Sequence, residues 1–277
     1  MQTKERARVD IEAARPQLLA RQGRIRDELA SLGKHDWAGT YYEGDGLGVN
    51  VTLMIAPGGG AAYTWSGCIG LYDLNHGSIA GVSEDGIDLE LAFSPDLNNV
   101  MYQAFYPYPC MSSRWVPVTW GKEHFLIPDS QMIAFCNAVN DGSTFLPFPH
   151  RIEGDDWHRK VERSEDPPRV PPAYRPFLLL APLDASILEV SEPTVIGTFA
   201  DEKTPQYLVS ATVGIGSEAG LLPGMLLYAQ APNRGLGQVL DVDGVRATVG
   251  FRSALYDAER DTPRKGWKLS TLRQKAR

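Results

Sequence analysis

The polar residues best placed for chemistry crowd into one short stretch, YDLNHG, which carries Asp73, Asn75 and His76. Aspartate and histidine at this spacing could ligate a metal or orient one another for proton transfer. Asp and Asn also favour turns, because their side chains bond nearby backbone N–H groups. No second histidine stands at ligand spacing, which argues against zinc, so no metal is assigned. Cys68, in WSGCIG, raises a second chemistry. A thiol nucleophile needs a lowered pKa, an imidazole within reach and a group to orient that imidazole. A hydrolase with Cys68 as nucleophile and His76/Asp73 as acid–base pair is the enzymatic alternative. The apolar, aromatic strand context of Cys68 favours a buried, inert thiol, and Cys136, on the apolar face of a short helix, reads as core.

The loop Gly44-Asp45-Gly46-Leu47-Gly48-Val49-Asn50 contains a GxG, but a dinucleotide loop must join a strand to a helix. Val49–Ile55 alternates like a strand and runs into the Pro57–Gly60 turn, so this loop is a hairpin or bulge. No cofactor is assigned. The aromatic residues of the same region include Tyr41, Tyr42, Tyr63, Trp65 and Tyr72. Rings with polar edges suit the mouth of a barrel that holds a small apolar or sugar-like ligand. Asp45, Asn50, Trp65, Tyr72, Asp73, Asn75 and His76 are therefore the expected ligand-binding set. The polar members, Asp45, Asn50, Asp73, Asn75 and His76, are expected at hairpin turns that meet at one rim. Asp88 and Glu90 alternate with Ile87, Leu89 and Leu91, which places them on the solvated face of a strand.

These residues need elements to position them, and the sequence predicts a mainly β protein. Residues 1–34 read as an N-terminal amphipathic helix, with Ile11, Leu18, Ile25 and Leu32 every seventh position and Leu29 on the same stripe. Such a stripe is expected to lie against its own domain, and Pro16 predicts a kink or a division. Residues 35–182 form an aromatic, Gly-rich antiparallel β-domain, barrel or sandwich, with one short helix at 130–140 capped by Ser130. His150–Pro172 reads as an extended surface crossing and Phe177–Leu180 as a returning strand. Residues 183–272 form a smaller β-barrel, in which Asp243-Gly244 marks a hairpin. A basic tail, 273–277, ends the chain.

The run at 207–251 resembles the Gly-punctuated β-barrel modules of bacterial envelope and flagellar scaffold proteins. Gly216, Gly220 and Gly224 keep a four-residue spacing, and Gly237-Gln238-Val239 begins a return strand. The resemblance implies a structural or partner-binding module and brings no catalytic residues. Residues 37–55, opening WAGTYY, are similar to the first strand of lipocalin-like barrels.

The apolar fraction of 43% and charged fraction of 22% are those of a globular chain. No apolar run approaches the roughly 18–20 residues of a transmembrane helix. Residues 1–34 hold eight Lys/Arg against five Asp/Glu, and 259–277 hold seven against two. The remaining 35–258 hold twelve against twenty-seven, a balance of −15. An acidic body repels phosphate, so nucleic acid is not an expected partner. Cys68, Cys110 and Cys136 are too few and too odd in number for a disulfide framework, although one pair plus one thiol stays open. No secretory signal follows Met1. The chain reads as cytoplasmic, or as periplasmic if Met1 replaces a cleaved leader. The expected role is non-enzymatic: a small ligand at the aromatic rim, or a protein partner through the C-terminal barrel.

Overall fold

The structure, a computed structural model, describes residues 2–44, 50–68, 70–93, 111–143, 146–153, 161–198, 205–231, 233–253 and 262–273, with helix side chains from residue 13 onward. Two compact units emerge, Met1–Met132 with Phe145–Pro172, and Ile133–Thr144 with Ala173–Arg277.

The first unit is a closed eight-stranded antiparallel barrel. Its strands are β1 (Gly39–Gly44), β2 (Asn50–Ala56), β3 (Gly60–Gly67), β4 (Gly70–Ser83), β5 (Gly86–Leu91), β6 (Arg114–Trp120), β7 (Glu123–Pro128) and β8 (His150–Ile152). Because successive side chains point to opposite faces, register fixes what lines the interior. Three rows cross β1–β4. They are Glu43-Val51-Trp65-Asp73, then Tyr41-Leu53-Tyr63-Asn75, then Gly39-Ile55-Ala61-Gly77. Ile87, Leu89, Trp115 and Leu126 complete the core around these rows.

The outward face of β2–β4 is apolar as well, because helix α1 (Gln2–Leu32) covers it. Ala14, Leu18 and Ile25 pack with Met54, Ala56, Ala62 and Leu74. The self-packing stripe predicted from the heptad spacing is thus present at Leu18, Ile25, Leu29 and Leu32. The predicted division at Pro16 does not occur, and one helix runs through it. Pro16 is exposed, while Ala14 and Leu18 on either side are buried and hold the helix to the barrel.

The β2–β3 turn locks this helix in place. Glu28 accepts from Gly58 N at 2.9 Å and from Gly59 N at 2.5 Å, and Arg21 Nη1 donates to Gly59 O and Gly77 O. Charge-assisted bonds of this kind contribute about 1.5–3 kcal/mol each. Glu28→Ala is expected to cost about 2 kcal/mol and to raise protease cleavage within α1, read by denaturant melts and limited proteolysis.

The crossing expected at His150–Pro172 is only partly a crossing. His150–Ile152 forms the closing strand, paired to β1 and β7. Arg169 bridges to Thr119, and Val170 is buried. Closure demands a strand between β7 and β1, and three residues are enough to supply it. The strand expected at Phe177–Leu180 is also absent. Pro172–Phe177 forms a 3-10 turn, the amides of Leu178 and Leu179 donate to Arg175 O and Asn140 Oδ1 instead of a ladder, and Leu180 is exposed.

The second unit holds helix α2 (Met132–Asn140) and strands β9 (Asp184–Val190), β10 (Thr194–Thr198), β11 (Pro205–Val213), β12 (Leu226–Ala229), β13 (Leu236–Val242), β14 (Ala247–Ser253) and β15 (Lys268–Ser270). Pairing in the order β11-β14-β13-β12-β15-β9, with β9 returning to β11, closes a six-stranded barrel, and β10 lies outside the ring on β11. Ile187, Val213, Leu227, Val239, Val249 and Leu269 fill its centre.

Helix α2, which the sequence places in the first domain, groups from Ile133 onward with the second unit. Two asparagines explain this. Asn137 bonds Gly224 O and Leu226 N, and Asn140 bonds Phe177 O and Leu179 N. Its expected cap, Ser130, sits instead in a preceding 3-10 turn, Asp129–Gln131.

The Gly-x-x-x-Gly spacing has a local cause. A side chain at Gly216 would meet Asp243 O at 2.3 Å, and Gly220 and Gly224 adopt φ of 89° and 90°. Among the described residues no helix is long and apolar enough to cross a membrane.

Candidate functional site in the first barrel

Asp73, Asn75 and His76 do not sit on a turn, as the sequence reading had them, but in the interior of β4, all three buried. Tertiary pairing overrides turn propensity here, with β3 on one side and the β5 segment on the other. Asp73 shares the inward row of Trp65, and Asn75 that of Tyr63. His76 pairs with Ala62 on the outward face, beneath α1.

Asn75 has a structural task. Its Nδ2 donates to Phe93 O at 2.9 Å, and its Oδ1 accepts from Phe93 N and His76 N. The amide thereby continues the ladder where β5 has ended. The His76 ring meets Phe93 edge-on at 5.7 Å. Burial first, then Arg21 and Arg24, hold its pKa below the ordinary histidine value.

This geometry separates the members of the enzymatic alternative. Asp73 and His76 are three positions apart on opposite faces of one strand. Cys68 lies exposed at the β3–β4 turn, contrary to the buried thiol expected there. His76 is six positions along β4 from Gly70, about 20 Å away. The three side chains do not converge. Cys136, by contrast, is buried on α2 as expected, and burial pushes its thiol up to about 12. Iodoacetamide at neutral pH should therefore alkylate Cys68 in the native protein and reach Cys136 only on unfolding, as read by peptide mass mapping.

Of the remaining expected ligand-binding residues, Asp45 lies outside the described residues. Asn50 falls on the outward row, and its Oδ1 accepts from Tyr42 Oη. Outward residues cannot line an interior, so Asn50 and His76 leave the set. Trp65 and Tyr72 remain, their rings edge to face at 5.4 Å across the bulge that follows Trp65. Asp88, expected on a solvated face, pairs with Arg114 at 2.9 Å.

The sequence reading missed Glu43. It is half-buried, faces inward in the row of Trp65 and Asp73, and burial alone pushes its carboxyl up to about 8. No cation or hydrogen bond from the described residues offsets that burial. The alternation Tyr41-x-Glu43 carries the signal, since a strand with Tyr41 inward must turn Glu43 inward too.

Toward the opposite end, Tyr41 Oη donates to Trp37 O at 2.8 Å and accepts from Arg151 Nη2 at 3.0 Å. Arg151 also donates to Asp36 O. His124, in register with Thr119 and two positions from the core residue Leu126, is held below its ordinary pKa by burial and by Arg151. That end is closed by its own hydrogen bonds. The end bearing Glu43, Trp65 and Asp73 sets two carboxyls and an indole on one inward row.

No group of three or more metal-ligating side chains occurs among the described residues. Compared with protein families, curated proteins and solved structures, the chain matches none of them.

Proposed function

We propose that the first barrel is a non-enzymatic binding module. It takes a small molecule into the end of its interior framed by the β1–β2 and β3–β4 hairpins. The observation that carries this reading is Glu43. A half-buried carboxyl turned inward on the row of an indole is costly, as its burial-raised pKa records. Retaining it is reasonable where a ligand supplies the partner. Eight strands enclose room for one small ligand when side chains do not fill the whole lumen. Here the bulky core residues Leu53, Ile55, Trp115 and Leu126 pack the centre, while the outermost row is half polar. Trp65 and Tyr72 offer ring faces and edges for an apolar or sugar-like body.

A fragment panel followed by amide chemical shifts tests this. Binders should perturb β1–β4 around Glu43, Val51, Trp65 and Asp73, and Trp65→Leu should weaken them at least tenfold, about 1.4 kcal/mol. Binders that map solely to the second unit would refute it.

For the second unit we propose a partner-binding role through β10. All five of its residues are exposed, including Val195 at 62% and Ile196 at 44%, and it hangs on the ring by β11 alone among the described strands. An exposed apolar edge strand is a template for an added strand. Pull-down that survives paired Val195→Lys and Ile196→Lys changes would argue against it.

A further inference from the structure

We propose that α1 is an acid-released cover: a proton gained by His76 beneath it lifts the helix off the β2–β4 face of the first barrel. The device is independent of any ligand inside that barrel.

Its geometry begins with burial. His76 points outward from β4, is 7% exposed, and lies with Ala62, Leu74 and Phe93 in the apolar layer that Ala14, Leu18 and Ile25 seal. Both ring nitrogens are enclosed, and neither has a hydrogen-bond partner among the described residues. A neutral imidazole is tolerated there. An imidazolium would bring two N–H donors and a full charge into a place that offers them no acceptor.

The charged neighbours oppose the proton as well. On α1, Arg21 Nη1 donates to the carbonyl of Gly77, the residue next to His76, and Arg24 follows one helical turn later. Glu28, the carboxylate farther along the helix, is engaged by the Gly58 and Gly59 amides. Glu90, in register with Ser78 on β5, is exposed to solvent, and β3 presents the uncharged Ala62. Burial and the two guanidiniums accordingly hold the imidazole below its ordinary pKa.

Protonation and closure therefore work against each other. With α1 lifted, water reaches the ring, the guanidiniums are gone and the ordinary value of 6.5 returns. The closed state has the lower pKa, so it is fully favoured above the ordinary value and loses ground as pH falls toward its own. Across that window the open population rises by up to about tenfold per pH unit. Opening bares Met54, Ala56, Ala62 and Leu74, the apolar outer face of β2–β4. It stays local, because the eight strands close by their own pairing.

Hydrogen exchange of the full chain tests this, followed by NMR from about pH 7.5 to about pH 5 and corrected for intrinsic exchange. Amides of α1 between Leu18 and Glu28 should lose up to about tenfold protection per pH unit below the ordinary histidine value, while those of β6 and β7 keep theirs. His76→Gln has no proton to gain and should flatten the α1 profile. Arg24→Gln, a change at an exposed position, should shrink the acid loss by easing the repulsion. Protection of α1 that does not change with pH would overturn the proposal. So would an equal loss in β6 and β7, which means global unfolding, or an acid loss that survives in His76→Gln. Should His76→Gln not fold, Arg24→Gln decides: a reduced acid loss supports the cover, and an undiminished one overturns it.

Discussion

Gly60→Ala is expected to destabilise the first unit by about 3 kcal/mol or more, whereas Gly70→Ala should cost about 1–2 kcal/mol. Both glycines have positive φ, 79° at Gly60 and 110° at Gly70, so each substitution carries a backbone penalty. They differ in what surrounds them. A Cβ at Gly60 would stand 2.2 Å from Gly77 O and 2.4 Å from Arg21 Nη1, whereas at Gly70 nothing lies within 4 Å. The guanidinium can swing away, but only by giving up its bonds to Gly59 O and Gly77 O. The carbonyl belongs to β4 and cannot move without parting it from β3. Urea melts followed by far-UV circular dichroism read both variants. Adding Arg21→Ala to Gly60→Ala should recover little, because the backbone clash remains. Equal midpoints for Gly60→Ala and Gly70→Ala would show that α1 and β4 do not press on this turn.

The same contacts show what the sequence could and could not reveal. Strands with one wet face announce themselves. Ile87, Leu89 and Leu91 alternate with Asp88 and Glu90, and β5 lies at Gly86–Leu91. The Asp243-Gly244 hairpin is equally legible, because its chemistry is local: Asp243 Oδ1 accepts from Val245 N and Arg246 N. Legibility fails where both faces of a strand are covered. On β4 the inward Asp73 and Asn75 alternate with the outward Leu74 and His76, and all four are buried. No polar–apolar alternation survives, so Asp and Asn read as turn formers. Tyr41 and Tyr42 hide Glu43 in the same way, because both rings are buried, one inward and one outward. The three-residue β8 carries too little pattern to detect and exists because a ring must close. Of the expected set, Trp65, Tyr72 and Asp73 lie with the inward row or the core, Asn75 is taken up by the ladder at Phe93, Asn50 and His76 fall on the outward face, Asp45 lies outside the described residues, and Glu43 joins the inward row.

Glu43→Gln should make the protein more stable at pH 8 by about 2–4 kcal/mol and change it little at pH 4. Burial raises the folded-state carboxyl from 4.5 to about 8, while the unfolded chain keeps the ordinary value. Between those values the folded state holds a proton that the unfolded state has released. The slope of stability against pH is then negative, up to about 1.4 kcal/mol per pH unit. The favourable contribution is fully present below the unfolded pKa and is lost as pH climbs through the folded one. Glutamine keeps the shape and the neutral polarity and has no proton to lose. His76 and His124, both held below their ordinary pKa, impose the opposite slope at acid pH. They are unchanged in the variant, so subtracting the two stability curves removes them. Urea melts at half-unit steps from pH 4 to 9 would trace the difference. A gap that widens with rising pH and levels off near 8 places a neutral carboxylic acid inside the barrel. A gap independent of pH means that Glu43 ionises freely in the folded protein, so that water reaches it as readily as it reaches the unfolded chain.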